Sequence, residues 1–428
     1  MASPALSSRR PRMRLALGAL VASPAIAIFV ASNMANAGNL GFNMVFSRLL
    51  TPAEFHDLAV ILTLMLGVLS VLGAVQMAVS QIVARGPLTE PALAALPRLA
   101  ALAGVTGALL LPVAIAAVLL FPVAPALGLS SANHLVILLV ALPITAPLSL
   151  ARGAALGRMS VGGIVLSLNL EMGVRLGGAV VAHALGLGLG GIVAALALSL
   201  VAGWWPVRAE TSGPAPDLPA APLLRRIAGL AWPFALLQLA QVIHLDGDLL
   251  LSARLLPEGE GGLLAGLSLV QRIQVYACLG LAGVLLPAIT AAASSGHDIL
   301  RSAWPVIALV LGTGAILSAV AVAAPAAVLN AVVGPSYAAA ALHLLPAVLA
   351  GLAFTVSYLA ATFLAALGDR SGVALVVLAA PVSLVVLAIV AESGGLDAIV
   401  PAKAAVQGAL CLGTLVLVGR ACLRSWRP

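Results

Sequence analysis

Apolar runs of about 20 residues recur from one end of this 428-residue chain to the other. A run of that length is what an α-helix needs to cross the hydrocarbon core of a bilayer. Hydrophobic residues make up 62% of the chain and charged residues only 8%, a balance no soluble domain shows. The runs do not alternate polar and apolar residues as barrel strands do. The expected fold class is therefore an all-α polytopic membrane protein.

The runs lie near residues 15–46, 56–84, 93–121, 134–157, 160–182 and 184–206, then 227–251, 262–290, 302–324, 337–367, 372–391 and 397–420. That is six plus six, about twelve transmembrane helices. Between the sets lies the longest polar, proline-rich stretch, from Val207 to Leu224, which reads as a linker. The expected organisation is 1–206, a linker over 207–226, and 227–428. Prolines inside the runs (Pro112, Pro143, Pro147, Pro287, Pro346 and Pro381) are expected to kink them.

Charge agrees with this count. With a cytoplasmic N-terminus, 16 of the 21 basic residues fall on the cytoplasmic side, Arg152 among them; Arg48, Arg254 and Lys403 fall outside, and Arg175 and Arg272 within the membrane. This obeys the positive-inside rule and puts both termini in the cytoplasm of a cell-membrane protein. The basic residues are dispersed in loops, which argues against nucleic acid as a partner. Arg9, Arg10, Arg12 and Arg14 precede the first run, and Ala35-Asn36-Ala37 resembles a leader cleavage site. The run is longer than a leader's apolar region, so an uncleaved first span is expected. Cys278, Cys411 and Cys422 form no CxxC or Cys/His cluster, so neither a disulfide nor a metal is expected, and no cofactor.

Two short echoes link the halves. Ser47-Arg48-Leu49-Leu50-Thr51-Pro52-Ala53-Glu54 resembles Ala253-Arg254-Leu255-Leu256-Pro257-Glu258-Gly259-Glu260, and Ala154-Ala155-Leu156-Gly157-Arg158 resembles Ala365-Ala366-Leu367-Gly368-Asp369-Arg370. The arginine of the first pair recurs after 206 residues and the alanine of the second after 211. Both spacings are six runs, so a duplicated six-helix unit in parallel orientation is expected, with an axis along the membrane normal.

Charges inside apolar runs are the candidate functional residues, because a charge at mid-bilayer costs at least ~2.5–3.5 kcal/mol and needs a partner, water or a role. His244 and Asp248, four apart, share a helix face; they could couple ions or protons, or lie wetted at the helix end. Asp246 points elsewhere. Gln271, Arg272 and Gln274 sit about ten residues past the preceding loop, ~15 Å down a helix. Arg272 could bind an anionic group such as phosphate in a forked geometry, or be a structural partner of Asp246 or Asp248. Ser32, Asn36, Asn39 and Asn43 line one face of the first run, with Gln76 and Ser80 on the second. Such a stripe is either helix-packing glue or the wall of a hydrated path. Glu171 and Arg175 form an i, i+4 pair that satisfies itself. No P-loop, GxSxG or HExxH motif occurs, so energy is expected from a gradient, a membrane potential or the substrate's own use.

Phe46-Ser47-Arg48-Leu49-Leu50-Thr51-Pro52-Ala53-Glu54-Phe55 is similar to the helix 1–2 loop of the polysaccharide-transporter family in the multidrug/oligosaccharidyl-lipid/polysaccharide (MOP) exporter superfamily. Asp248-Leu249-Leu250-Leu251-Ser252-Ala253-Arg254-Leu255-Leu256, Gln271-Arg272-Ile273 and Ala365-Ala366-Leu367-Gly368-Asp369 also fit that family, in order along the chain. Thr51 departs from the family's loop glycine and His56 from its second. The resemblance implies two pseudo-symmetric six-helix bundles around a central cleft. It also implies flipping or export of lipid-linked oligosaccharide or polysaccharide precursors by alternating access, not enzymatic turnover. The expected partners are such an amphipathic anionic substrate, membrane lipid, and glycosyltransferases or a polymerase of the same pathway. Arg272 and Gln271 would meet the head group, with Asn36, Asn39, Asn43 and Gln76 along the sugar path and His244, Asp246 and Asp248 coupling an ion. The rival readings are a cation-coupled multidrug antiporter of the same fold, a membrane-embedded glycosyltransferase, and a scaffold of an envelope-polysaccharide complex.

Overall fold

A computed structural model describes residues 24–85, 91–212, 219–257, 259–275 and 299–425. The helices are α1 Pro24–Leu49, α2 Pro52–Arg85, α3 Leu96–Leu120, α4 Ala132–Leu139, α5 Leu142–Gly157, α6 Val161–Ala184 and α7 Gly188–Trp204. There follow α8 Ala221–Leu255, α9 over 260–275, α10 Ile299–Ala323, α11 Pro325–Val332, α12 Leu344–Ala366 and α13 Ser371–Ser425. Among the described residues there is no strand. Cys278, Pro287, the start of the first run and the end of the eighth lie outside them.

Among the described residues, six helices are long and apolar enough to span a membrane, or eight if each of two bent pairs is one span. The other four apolar runs are met by α1, whose four asparagines lower its hydropathy, by the 17-residue α7, by α9, and by the second half of α13. The chain is thus an all-α polytopic membrane protein of about 12 helices. In α13 two runs join across Gly394 and Gly395, the latter at φ +57°, a conformation that glycine adopts at little cost.

Prolines act where the carbonyl four residues back is the one they deprive. Pro143 removes the bond to Leu139, the last residue of α4, and α4 and α5 meet at 43°. Pro325 opens α11, which turns 109° from α10. Pro346 lies in the first turn of α12, where a missing N–H costs nothing, so the expected kink is absent there.

By proximity the chain forms two compact units: unit 1 is Met1–Asn39, Val75–Val113 and Ile137–Ala231, and unit 2 is Leu40–Ala74, Ala114–Val136 and Trp232–Pro428. In a bilayer, lipid competes equally for apolar faces, so helices associate through close packing and polar contacts. Unit 1 shows this where α5 crosses α2. A Cβ on Gly153 would lie 2.6 Å from the Gln76 carbonyl oxygen, and one on Gly157 would lie 2.6 Å from Val83 Cβ. α3 buries Leu96, Leu99 and Ala100 near its start, while Leu109, Val113 and Leu120 are exposed and face lipid.

Candidate functional site

In unit 2, α8 carries three fully buried titratable side chains, His244, Asp246 and Asp248. Residues 244 and 248 share a face and 246 lies nearly opposite, so they meet different neighbours. Asp246 Oδ1 accepts from Arg272 of α9, at 2.9 Å from Nε and 2.7 Å from Nη2; Arg272 Nη2 also donates to Thr63 Oγ1 of α2 at 3.2 Å. Of the two partners left open for Arg272, Asp246 is the one found. On the other face Lys403 of α13 donates to both Asp248 oxygens at 2.9 Å and to the Leu245 carbonyl at 2.6 Å. His244 Nε2 lies 3.0 Å from the Val376 carbonyl, and Gln407 Nε2 lies 3.2 Å from His244 Nδ1. His244 and Asp248 therefore do not bond each other, although they share a face. Two like pairs, Arg272–Asp246 and Lys403–Asp248, leave these four charges balanced.

Unit 1 holds a different arrangement. Glu171, near the middle of α6, is shared by two arginines. Arg175, one turn on, donates Nη2 to Oε1, and Arg152 of α5 places Nη2 2.7 Å from Oε2. Arg175 Nη1 also donates to Asn39 Oδ1 of α1 at 2.6 Å, while its Nε is buried without a hydrogen-bond partner. Arg152 Nε donates to Ser167 Oγ at 2.8 Å. Gly203 of α7 makes room for the group, because a Cβ there would lie 2.9 Å from Arg152 Nη2 and 3.0 Å from Glu171 Oε2. Two guanidiniums against one carboxylate leave one positive charge in excess within this cluster.

The polar stripe does not stay together. Asn36 is exposed, Asn39 and Gln76 are half-buried in unit 1, and Asn43, also half-buried, belongs to unit 2. Gln271 is buried in unit 2 with its Nε2 unsatisfied, pressed against α12 where Gly351 lacks a side chain.

The two echoed loops lie side by side in unit 2. Thr51 and Glu54 form a capping box, with the Thr51 N–H 3.0 Å from Glu54 Oε2. His56 Nε2 lies 2.8 Å from Ser252 Oγ, and Asp57 accepts from the Ser130 N–H at 3.0 Å. Together with Gly261 and Gly262 they line a cavity of about 460 Å³. Glu260 departs from its counterpart Glu54. It does not cap its own helix end but accepts from the Leu396 N–H at 2.6 Å, just past the break in α13.

No protein-family model matches the sequence, and no curated protein matches it closely. Solved structures do match its shape. The inward-facing conformation of a multidrug resistance MATE family transporter of the MOP superfamily covers 92% of this chain and 96% of its own, with a TM-score of 0.72 and 16% identity. The outward-facing conformation of such a transporter covers 94% and 95%, with a TM-score of 0.62 and 16% identity. A MOP superfamily transporter from Pyrococcus furiosus, described as having a binding pocket of reverse polarity, covers 92% and 94%, with a TM-score of 0.61 and 15% identity. The chain has the MATE fold.

Within this MATE fold, two charges have buried partners that the sequence does not reveal. Lys403, expected on the outer side near the start of the last run, is buried in α13 on Asp248. Arg152, expected on the cytoplasmic side, pairs with Glu171, and its side chain is only 12% exposed. The Gly153-to-Gly157 spacing around Arg152 signals a close helix crossing and so an inward position. Lys403, the only lysine in the chain, stands six residues past Asp397 and four before Gln407, and that i, i+4 pairing with a polar residue was its available signal.

Proposed function

We propose that the chain is a membrane transporter that works by alternating access on an anionic amphipathic substrate, a lipid-linked oligosaccharide or polysaccharide precursor. The observation that carries the anionic reading is the Arg152–Glu171–Arg175 cluster, with its surplus positive charge and unpartnered Arg175 Nε. A buried guanidinium in excess attracts a phosphate-bearing head group and repels a cationic drug. Support for alternating access comes from the inward- and outward-facing states described for transporters of this fold. The reverse polarity described for the Pyrococcus furiosus protein, and linked there to a different function, supports reading substrate charge from pocket charge.

In this reading Arg175 and Arg152 draw in the head group, and Asn36, Asn39 and Gln76 of unit 1 line a hydrated path for sugars. Arg272 and Gln271 offer a second anion contact, in which phosphate displaces Asp246 from Arg272. The lipid tail stays in the bilayer. Both termini lie in the cytoplasm of a cell membrane, supported by the bias of basic residues. A cation-coupled multidrug antiporter is the second reading, favoured by the carboxylates Asp246 and Asp248 and by the multidrug transporters of like fold.

The test is binding to the purified protein in detergent. A polyprenyl phosphate should bind saturably, and Arg175→Gln should weaken it about tenfold, the worth of one charge-assisted hydrogen bond. Saturable binding of a lipophilic cation, with none of the polyprenyl phosphate, would reverse the assignment.

A further inference from the structure

The cavity beside the two echoed loops is rich in groups that accept hydrogen bonds. Its volume of about 460 Å³ is that of a small-molecule site. Ser252 settles the tautomer of His56. Its hydroxyl donates to the Leu249 carbonyl at 2.7 Å, so towards His56 Nε2, 2.8 Å away, the Ser252 oxygen can only accept, and Nε2 carries the hydrogen. Nδ1 of the neutral ring is then a bare acceptor. It lies 3.8 Å from Asp57 Oδ1, too far for a hydrogen bond, and that oxygen is an acceptor as well. Asp57 Oδ2 is already taken by the Ser130 N–H at 3.0 Å and hydroxyl at 2.5 Å. His56 is only 7% exposed, and an acceptor left bare on so buried a side chain calls for a donor. Among the described residues no Arg or Lys lines the cavity, so nothing there draws in a phosphate, while Leu129, Leu256 and Pro257 give it aliphatic walls. His56 is also where this sequence departs from the glycine of the family it resembles, so the bare nitrogen is this chain's own.

We infer that this cavity binds a neutral sugar, with Asp57 Oδ1 and His56 Nδ1 each accepting from one of two neighbouring ring hydroxyls. Two acceptors 3.8 Å apart cannot share one hydrogen, and adjacent hydroxyls on a ring bring one donor to each. The bond to Asp57 is charge-assisted and so among the stronger kind. The aliphatic walls meet the C–H groups of the ring. As a subsite for the glycan this role rests on the substrate reading above, but it uses other residues: the cavity belongs to unit 2, and the head-group arginines Arg152 and Arg175 belong to unit 1.

Saturation-transfer NMR on the full-length protein reads weak ligands, in a polyoxyethylene detergent that carries no sugar. The probes are glucose, galactose and N-acetylglucosamine, with ethanolamine as the cationic control. At least one sugar should bind saturably with a Kd on the order of millimolar, the scale for a ligand of so few atoms, and ethanolamine should not bind. Asp57→Asn removes the carboxylate and His56→Ala the bare nitrogen. Each should weaken the sugar about tenfold, the worth of one hydrogen bond, while Arg175→Gln should bind it as the parent does. Thermal melts check that each variant folds, and Asp57→Asn carries the test alone where His56→Ala does not. Saturable binding of a polyprenyl phosphate with none of any sugar would overturn this inference and leave the substrate reading standing. Sugar binding unchanged in a folded Asp57→Asn would overturn it too, as would binding of ethanolamine alone. Sugar binding that Asp57→Asn loses, with no binding of the polyprenyl phosphate, would sustain the site and remove the substrate reading.

Discussion

Replacing Glu171 and replacing Arg175 should have opposite consequences, although the two bond each other. Glu171→Gln leaves the Arg152 and Arg175 guanidiniums in one buried cluster without a carboxylate. The side chains of Arg175, Arg152 and Glu171 are 5%, 12% and 12% exposed, so solvent screening relieves little of that. Removing one partner of a buried ion pair costs about 3–5 kcal/mol. At about 2.1 cal/mol/K per residue, 428 residues give an unfolding entropy near 0.9 kcal/mol/K, so Glu171→Gln should lower the Tm by about 3–6 °C. Arg175→Gln removes the surplus charge instead. Glu171 keeps Arg152 at 2.7 Å, the cluster becomes neutral, and the melting temperature should move by no more than about 1 °C. Thermal unfolding of both variants in one detergent, followed by circular dichroism or tryptophan fluorescence, reads the difference. Equal destabilisation of the two, or no loss in Glu171→Gln, would refute the claim that this cluster carries an excess positive charge.

Other substitutions test the packing and the second cluster. Asp246→Ala removes the carboxylate from Arg272 and should cost about 3–5 kcal/mol, while Asp246→Ala with Arg272→Met should recover most of it; a double variant no more stable than the single would argue against the pair. Gly157→Val should separate α5 from α2, because even a Cβ there would lie 2.8 Å from the Ser80 carbonyl oxygen; the expected loss is about 1–3 kcal/mol by chemical denaturation. Gly162→Ala, in the first turn of α6 with nothing within 4 Å, is the control and should be neutral or stabilising by about 0.5–1 kcal/mol.

Most of the helical plan was legible because a bilayer imposes a length and a hydropathy on every span. The α4–α5 break at Pro143 and the positions of α2, α3 and α6 follow from residues within a turn of each other. The candidate charges on α8 and α9 were legible because a charge inside an apolar run stands out wherever its partner lies. What the pattern could not supply was the partner. Lys403 lies 155 residues from Asp248, and Arg152 reaches Glu171 across a loop and half a helix. Hydropathy averages over a window, so it places a cation within a run without indicating which distant side chain it meets. His244 and Asp248 illustrate the converse: a shared face brought both to α13, but the neighbours there, Gln407 and Lys403, decided that each bonds elsewhere. The asparagine stripe of α1 reads as one surface by periodicity, yet Asn39 is committed to Arg175 while Asn36 stays exposed.

The measurement that bears most directly on the proposed function is translocation in proteoliposomes. Purified protein would be reconstituted, and a fluorescent polyprenyl-pyrophosphate oligosaccharide followed between leaflets beside a lipophilic cationic dye, with Arg175→Gln in parallel. The account predicts protein-dependent movement of the anionic lipid, its loss of at least about tenfold in the variant, and no movement of the dye. Movement of the dye alone, or of the anionic lipid at the same rate in Arg175→Gln, would contradict it.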